Sequence, residues 1–75
     1  MKITNHIESK PSVMLGKPII KGTRITVELI LNKLAGGYSV KEIPEMYPTV
    51  NEGDVMACLT YAALMVGDEK MIKAA

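Results

Sequence analysis

Gly16-Lys17-Pro18-Ile19-Ile20-Lys21-Gly22-Thr23-Arg24-Ile25-Thr26 is where the chain changes its periodicity. Before it, residues 3–8 alternate: Ile3 and Ile7 fall on one face, and Thr4, His6 and Glu8 on the other. That is the two-residue period of a half-buried strand. Residues 18–25 read as a second strand, rich in isoleucine, and Gly22 inside it marks a bulge. Without the bulge, Lys17 and Lys21 share a face and Arg24 takes the other; a one-residue bulge brings Arg24 back beside the lysines. Between the strands, Ser9-Lys10-Pro11-Ser12 is a break. Val13-Met14-Leu15 is expected to pack down before Gly16 turns the chain.

Beyond the stretch the signals are helical. Thr26 suits the N-cap of a helix running to about Ala35, with Glu28 in its first turn and Leu29, Ile30, Leu31 and Leu34 as its apolar face. Gly36-Gly37 ends it. Ser39 with Glu42 three residues on is a capping box that opens a second helix. Within that helix Pro44 is an awkward fifth residue, because it removes an intrahelical bond. Tyr47-Pro48 closes it. Asn51 caps a third helix, with Glu52 and Asp54 at its positive end. Residues 55–66 are apolar at every position but Thr60, counting Tyr61. Gly67 stops the run, and residues 68–75 form a further turn or fray.

The order strand, strand, helix, helix, helix predicts a mainly α fold, a three-helix core preceded by a short two-stranded β element. It is one domain, 1–75, divided into the β element (1–26), the helical core (27–66) and a tail (67–75). So short a chain builds a core worth only about 3–5 kcal/mol, and something must supplement it. Cys58 is the only cysteine and His6 the only histidine, which excludes a disulfide framework and leaves no Cys/His metal site. Oligomerisation remains. No secretory leader is visible, and no apolar run approaches the roughly 20 residues of a membrane span, so the expectation is a cytoplasmic protein without cofactor or membrane contact.

The net charge of +1 conceals an imbalance. Residues 1–38 carry six cations against Glu8 and Glu28, leaving +4, whereas residues 39–75 carry three lysines against six acids, leaving −3. A basic front half suits phosphate or an acidic partner.

The residues 16–27, Gly-Lys-Pro-Ile-Ile-Lys-Gly-Thr-Arg-Ile-Thr-Val, resemble the hallmark of the bacterial and archaeal family called domain of unknown function 433. The likeness continues through Ile30-Leu31, Leu34-Ala35, Gly37, Ser39, Glu42-Ile43, Tyr47-Pro48, Asp54-Val55, Ala57 and on from Leu59 to Ala62. Pro44 departs from the pattern, where an ordinary helix former is commoner. The resemblance implies a homeodomain-like three-helix core with a helix-turn-helix. It also implies an antitoxin-like protein in the manner of VapB proteins, some members being fused or adjacent to PIN-like ribonuclease toxins. Such antitoxins often neutralise the toxin and bind their own promoter.

A groove-reading helix offers Arg, Lys, Asn or Gln near its N-terminus. The third helix offers Asn51, Glu52, Gly53 and Asp54, and its carboxylates would repel phosphate. The better candidates for operator DNA are Lys10, Lys17, Lys21 and Arg24 on the β element, doubled in a homodimer. The plain alternative is solvated lysines, with Arg24 clamped on Glu28 or Asp54. Gly22-Thr23 reads as a conformational device, since it lacks the rest of a phosphate-binding loop. A helix apolar all round must be covered all round. Val55, Met56, Leu59, Ala62, Ala63, Met65 and Val66 are therefore the candidate dimer or partner interface, unless they are merely half-exposed. No nucleophile, base and oxyanion donor come together, Cys58 lies among apolar residues and His6 has no evident acid partner, so the expectation is not an enzyme. The expected function is an antitoxin-like, DNA-binding and protein-binding dimeric regulator; the alternative is an interaction module that binds no DNA.

Overall fold

Which elements form is decided by where the short apolar segments find caps. A computed structural model describes residues 5–67. Strand β1 (Ile7–Glu8) pairs antiparallel with β2 (Ile19–Ile20), Ile7 opposite Ile20 and Glu8 opposite Ile19. Three helices follow: α1 (Val27–Ala35), α2 (Ile43–Met46) and α3 (Glu52–Val66). The protein is thus small and mainly helical, with a two-stranded antiparallel sheet ahead of three helices. The part of the first strand expected at Ile3 and Thr4, and the tail expected at residues 68–75, lie outside the described residues.

The second strand is shorter than its isoleucines suggest. After Ile20 the chain turns sharply: Thr23 N–H donates to the Ile20 carbonyl at 3.0 Å, and Gly22 sits at the third turn position with φ 79°. A positive φ at that position favours glycine. The Thr23 hydroxyl closes the turn by donating to Ile20 O (2.8 Å) and accepting from Ile25 N–H (3.0 Å). Ile20 N–H then donates to Ile25 O, and Thr26 bridges back to Ile19. Gly22 therefore makes a reverse turn, not a bulge. The β-parity argument for Arg24 does not apply.

The segment before Gly16 also departs from expectation. Met14, Leu15 and Gly16 all have positive φ (51°, 58° and 81°) and form one left-handed 3-10 turn. Met14 and Leu15 are exposed rather than packed down. The turn's handedness throws both side chains outward.

The helix ends follow their caps. Thr26 Oγ1 accepts from Leu29 N–H at 3.0 Å and starts α1. At its end Tyr38 N–H donates to Lys33 O and Gly37 N–H to Leu34 O, across Gly37 at φ 106°. That paired closure is the Schellman motif. Ser39 and Glu42 exchange reciprocal bonds of 2.8 and 3.1 Å. The helical run starts only at Ile43, so Pro44 falls in its first turn, where a missing N–H costs no intrahelical bond. The proline is a helix starter, not a defect.

Helix α3 packs on α1, α2 and β1. Ile7, Ile20, Val27, Ile30, Ile43, Val50, Val55 and Cys58 form one buried cluster at that junction. Each buried aliphatic side chain there contributes roughly 1.5–3 kcal/mol of transfer free energy. Both strands and all three α-helices supply at least one of them. Among the described residues no helix is long and apolar enough to cross a membrane.

Candidate interaction surfaces

The four candidate cations do not form one patch of free charge. Lys10 Nζ lies 3.4 Å from Glu8 Oε2, and Lys17 Nζ lies 2.9 Å from Glu28 Oε1. Lys21 and Arg24 flank the Gly22 turn, are exposed, and make no ion pair among the described residues. Partial desolvation pushes the Glu8 carboxyl upward. The Gly22 N–H donating to it and the charges of Lys10 and Lys21 outweigh that effect and hold it below its ordinary value. Of the four candidate cations, the two without an ion pair among the described residues therefore lie at the tip of one turn.

Arg24 is not the clamp expected on Glu28 or Asp54. Glu28 already holds Lys17, and Asp54 is fully engaged elsewhere. Asp54 Oδ2 accepts from Asn51 N–H at 3.0 Å, while Asn51 Oδ1 accepts from Asp54 N–H at 2.8 Å, a reciprocal capping box. The other oxygen, Oδ1, lies 2.8 Å from His6 Nδ1. A carboxylate only accepts, so this contact takes the Nδ1–H tautomer. His6 thus does have an acid partner, 48 residues away in sequence. The contact ties the entry to β1 onto the first turn of α3. The asparagine and aspartate three apart gave a local signal for the box; nothing local signalled His6.

The N-terminus of α3 is acidic. Asn51 uses its Oδ1 for the cap, and Glu52 and Asp54 are the charges in the first turn. Cys58, one turn on, is fully buried; desolvation first, and then the Asp54 charge, push its thiol up to about 11. It stays protonated and unreactive near neutrality.

The remaining surface of α3 is apolar and bare. Met56, Leu59, Ala63 and Val66 recur at steps of three, four and three, one stripe along the helix. All four are exposed, Met56 at 51% and Val66 at 62%. Leu64 is exposed at 64%, and Met65 is exposed as well. Of the residues expected at the interface, Ala62 is half-buried, and Val55 does not belong there. Val55 faces the core with no exposure, because it points at the junction of α3 with its neighbours.

The sequence profile of the family described as Protein of unknown function (DUF433) matches residues 7–62. The chain belongs to this family. The matched span takes in both strands, the Gly22 turn, α1, α2 and the capped part of α3, and it stops four residues before α3 ends at Val66. A curated relative of this DUF433 chain is the "Uncharacterized protein y4eO" of Sinorhizobium fredii (strain NBRC 101917 / NGR234), 29% identical over 56 residues. That alignment covers 75% of this chain and 25% of the relative, so the chain spans about a quarter of the relative's length. No solved structure matches the chain.

Proposed function

We propose that this DUF433 protein is a small antitoxin-like regulator that acts as a dimer. In this reading α3 meets a second copy or a partner protein through its exposed apolar side chains, and Lys21 and Arg24 contact the phosphates of operator DNA. The observation that carries it is the bare end of α3, where Leu64, Met65 and Val66 stand in water and continue the exposed stripe of Met56, Leu59 and Ala63. Exposed leucine, methionine and valine in one continuous patch mark an interaction site more often than ordinary surface. The partner class follows from the family resemblance: a PIN-like ribonuclease encoded beside this chain, in the cytoplasm. The reading is non-enzymatic.

A second reading has its own support. The acidic N-terminus of α3 disfavours groove entry, which suits an interaction module that binds no DNA. Salt separates the two. With upstream DNA in a shift assay, the first reading expects binding that falls steeply as salt rises and is lost in Lys21→Ala/Arg24→Ala. It also expects little change in Lys17→Ala, whose ammonium is already held by Glu28. No shift even at low salt removes the DNA claim and leaves the interaction module. A monomer in sedimentation at micromolar concentration removes the dimer.

A further inference from the structure

The Gly22 turn holds an anion of the chain's own. Glu8 Oε2 accepts from Gly22 N–H at 3.3 Å and lies 3.4 Å from Lys10 Nζ. Lys21 approaches the same carboxylate from the other strand. Its N–H donates to His6 O, and it stands two residues beyond Ile19, the cross-strand partner of Glu8. Such diagonal neighbours lie about 7–8 Å apart, close enough for a long cationic side chain to act on the carboxylate. A backbone N–H and two lysines around one oxyanion are the donors that proteins offer to phosphate. Although desolvation opposes it, these donors hold the Glu8 carboxyl below its ordinary value, so near neutrality it carries its charge. Its contacts are nevertheless long. The usual N–H···O separation is about 2.9–3.0 Å, and Glu28 holds Lys17 at 2.9 Å. Glu8 sits among donors without a close bond to any of these.

We infer that Gly22 N–H, Lys10 and Lys21 form a subsite for one phosphate of nucleic acid, which Glu8 occupies in the free protein and leaves when the phosphate binds. The inference rests on the proposed DNA contact of Lys21 and Arg24. It adds to that contact a third cation, a backbone donor and an internal competitor. The Lys10 charge is cancelled by Glu8 until phosphate takes the carboxylate's place, and the displaced carboxylate, still ionised nearby, opposes the phosphate. The chain therefore holds phosphate less tightly than its cations alone would. Phosphate attraction is blind to sequence, so Glu8 holds down binding to DNA at large.

The test is a fluorescence-anisotropy titration of the full chain on a duplex of upstream DNA, from about 50 to about 200 mM salt. Glu8→Gln removes the charge and keeps an oxygen for Gly22 N–H. It should tighten binding by about threefold or more at the low-salt end. It should also steepen the log–log salt slope by up to about 0.9, the share of one phosphate. Glu28→Gln changes the net charge equally but frees Lys17 instead, and should tighten binding far less. Adding Lys10→Gln to Glu8→Gln should abolish the gain. The wild type gives a readout that needs no substitution: the Gly22 amide signal in a nitrogen–proton correlation spectrum should move as DNA saturates the protein, because its acceptor changes. If the wild type binds and Glu8→Gln binds no tighter, or Glu28→Gln matches it, the subsite is overturned and the DNA reading stands. A Gly22 signal that stays in place on the saturated wild type overturns it as well. No binding by any of these proteins at low salt removes the DNA reading and the subsite together.

Discussion

The two ends of α3 differ: one face of the first half is sealed in the core, while the last four residues are all exposed although they are all apolar. In the first half Asn51 and Asp54 cap the helix, His6 ties it to β1, and Val55 and Cys58 are sealed in the core. In the second half Ala63, Leu64, Met65 and Val66 are exposed. Length explains the difference. At about 1.5 Å per residue α3 is roughly 22 Å long, while α1 is roughly 14 Å and α2 roughly 6 Å. Neighbours that short cover only the first turns, and the rest projects beyond them. A run of apolar residues along a helix therefore need not be a uniformly buried one.

The contrast breaks first if the covered half tolerates charge. Val55→Asp would bury a carboxylate with no partner, at a cost of several kcal/mol. A chain of this size has only about 3–5 kcal/mol to lose. The variant should be unfolded by circular dichroism at 25 °C, and a cooperative melt near that of the wild type would mean that the junction of α3 with its neighbours is not the core. Asp54→Ala comes next. It removes the acceptor for the Asn51 N–H and for His6 Nδ1 together, at roughly 2–4 kcal/mol. With a urea slope of about 1 kcal/mol/M, the midpoint should fall by roughly 2 M or more. A fall below about 0.5 M would show that the box and the histidine do not lock this end.

Much of the locked half was legible in the sequence. Thr26, Asn51 and the glycines after α1 and α3 are local signals, and each capped or closed the helix it was expected to; the Ser39–Glu42 bonds formed, but in the turn ahead of α2, which starts only at Ile43. What went unread depends on distance or handedness. His6 meets Asp54 across 48 residues, so neither position carries a cue to the other. Gly22 turns the chain where a strand pattern suggested a bulge, because alternation does not distinguish one long strand from a strand folding back on itself. Leu15 looked like a core residue, since apolarity reports what a side chain could bury and not which way its backbone points it. The alternative reading of Arg24, a clamp on Glu28 or Asp54, failed because those carboxylates have other partners.

The exposed half gives smaller effects on the fold. Leu64→Glu/Val66→Glu places two carboxylates where water already reaches, so the stability should change by no more than about 0.5 kcal/mol. In the proposed dimer the same pair of changes should convert the sedimenting species to monomer, two like charges facing two others across an apolar contact. An unchanged dimer would move the interface off this end of α3, and a loss of stability comparable to that of Asp54→Ala would show that the end is covered after all.

Thiol chemistry reads both halves in one molecule with the least disturbance. Ala63→Cys adds an exposed thiol five residues along the helix from Cys58. With an aromatic disulfide reagent at pH 8, the thiol at position 63 should react at the rate of a free cysteine. Cys58 should react only as fast as the first half opens, slower by the fraction of time the core spends open. Equal rates would erase the difference between the halves. The same thiol sets a pH limit. Folded Cys58 keeps its proton up to about 11, against an ordinary value of 9.0. Between those values the folded state binds more protons than the unfolded one, so stability is at its full value below about 9 and falls as pH rises through the window. Urea midpoints at pH 8 and pH 10.5 measure that fall. Cys58→Ala, which has no proton to lose, should show a smaller one even though its own core is weaker. If both proteins lose the same amount, some group other than the buried thiol sets the alkaline limit, and the sealed half of α3 is more open to hydroxide than its burial implies.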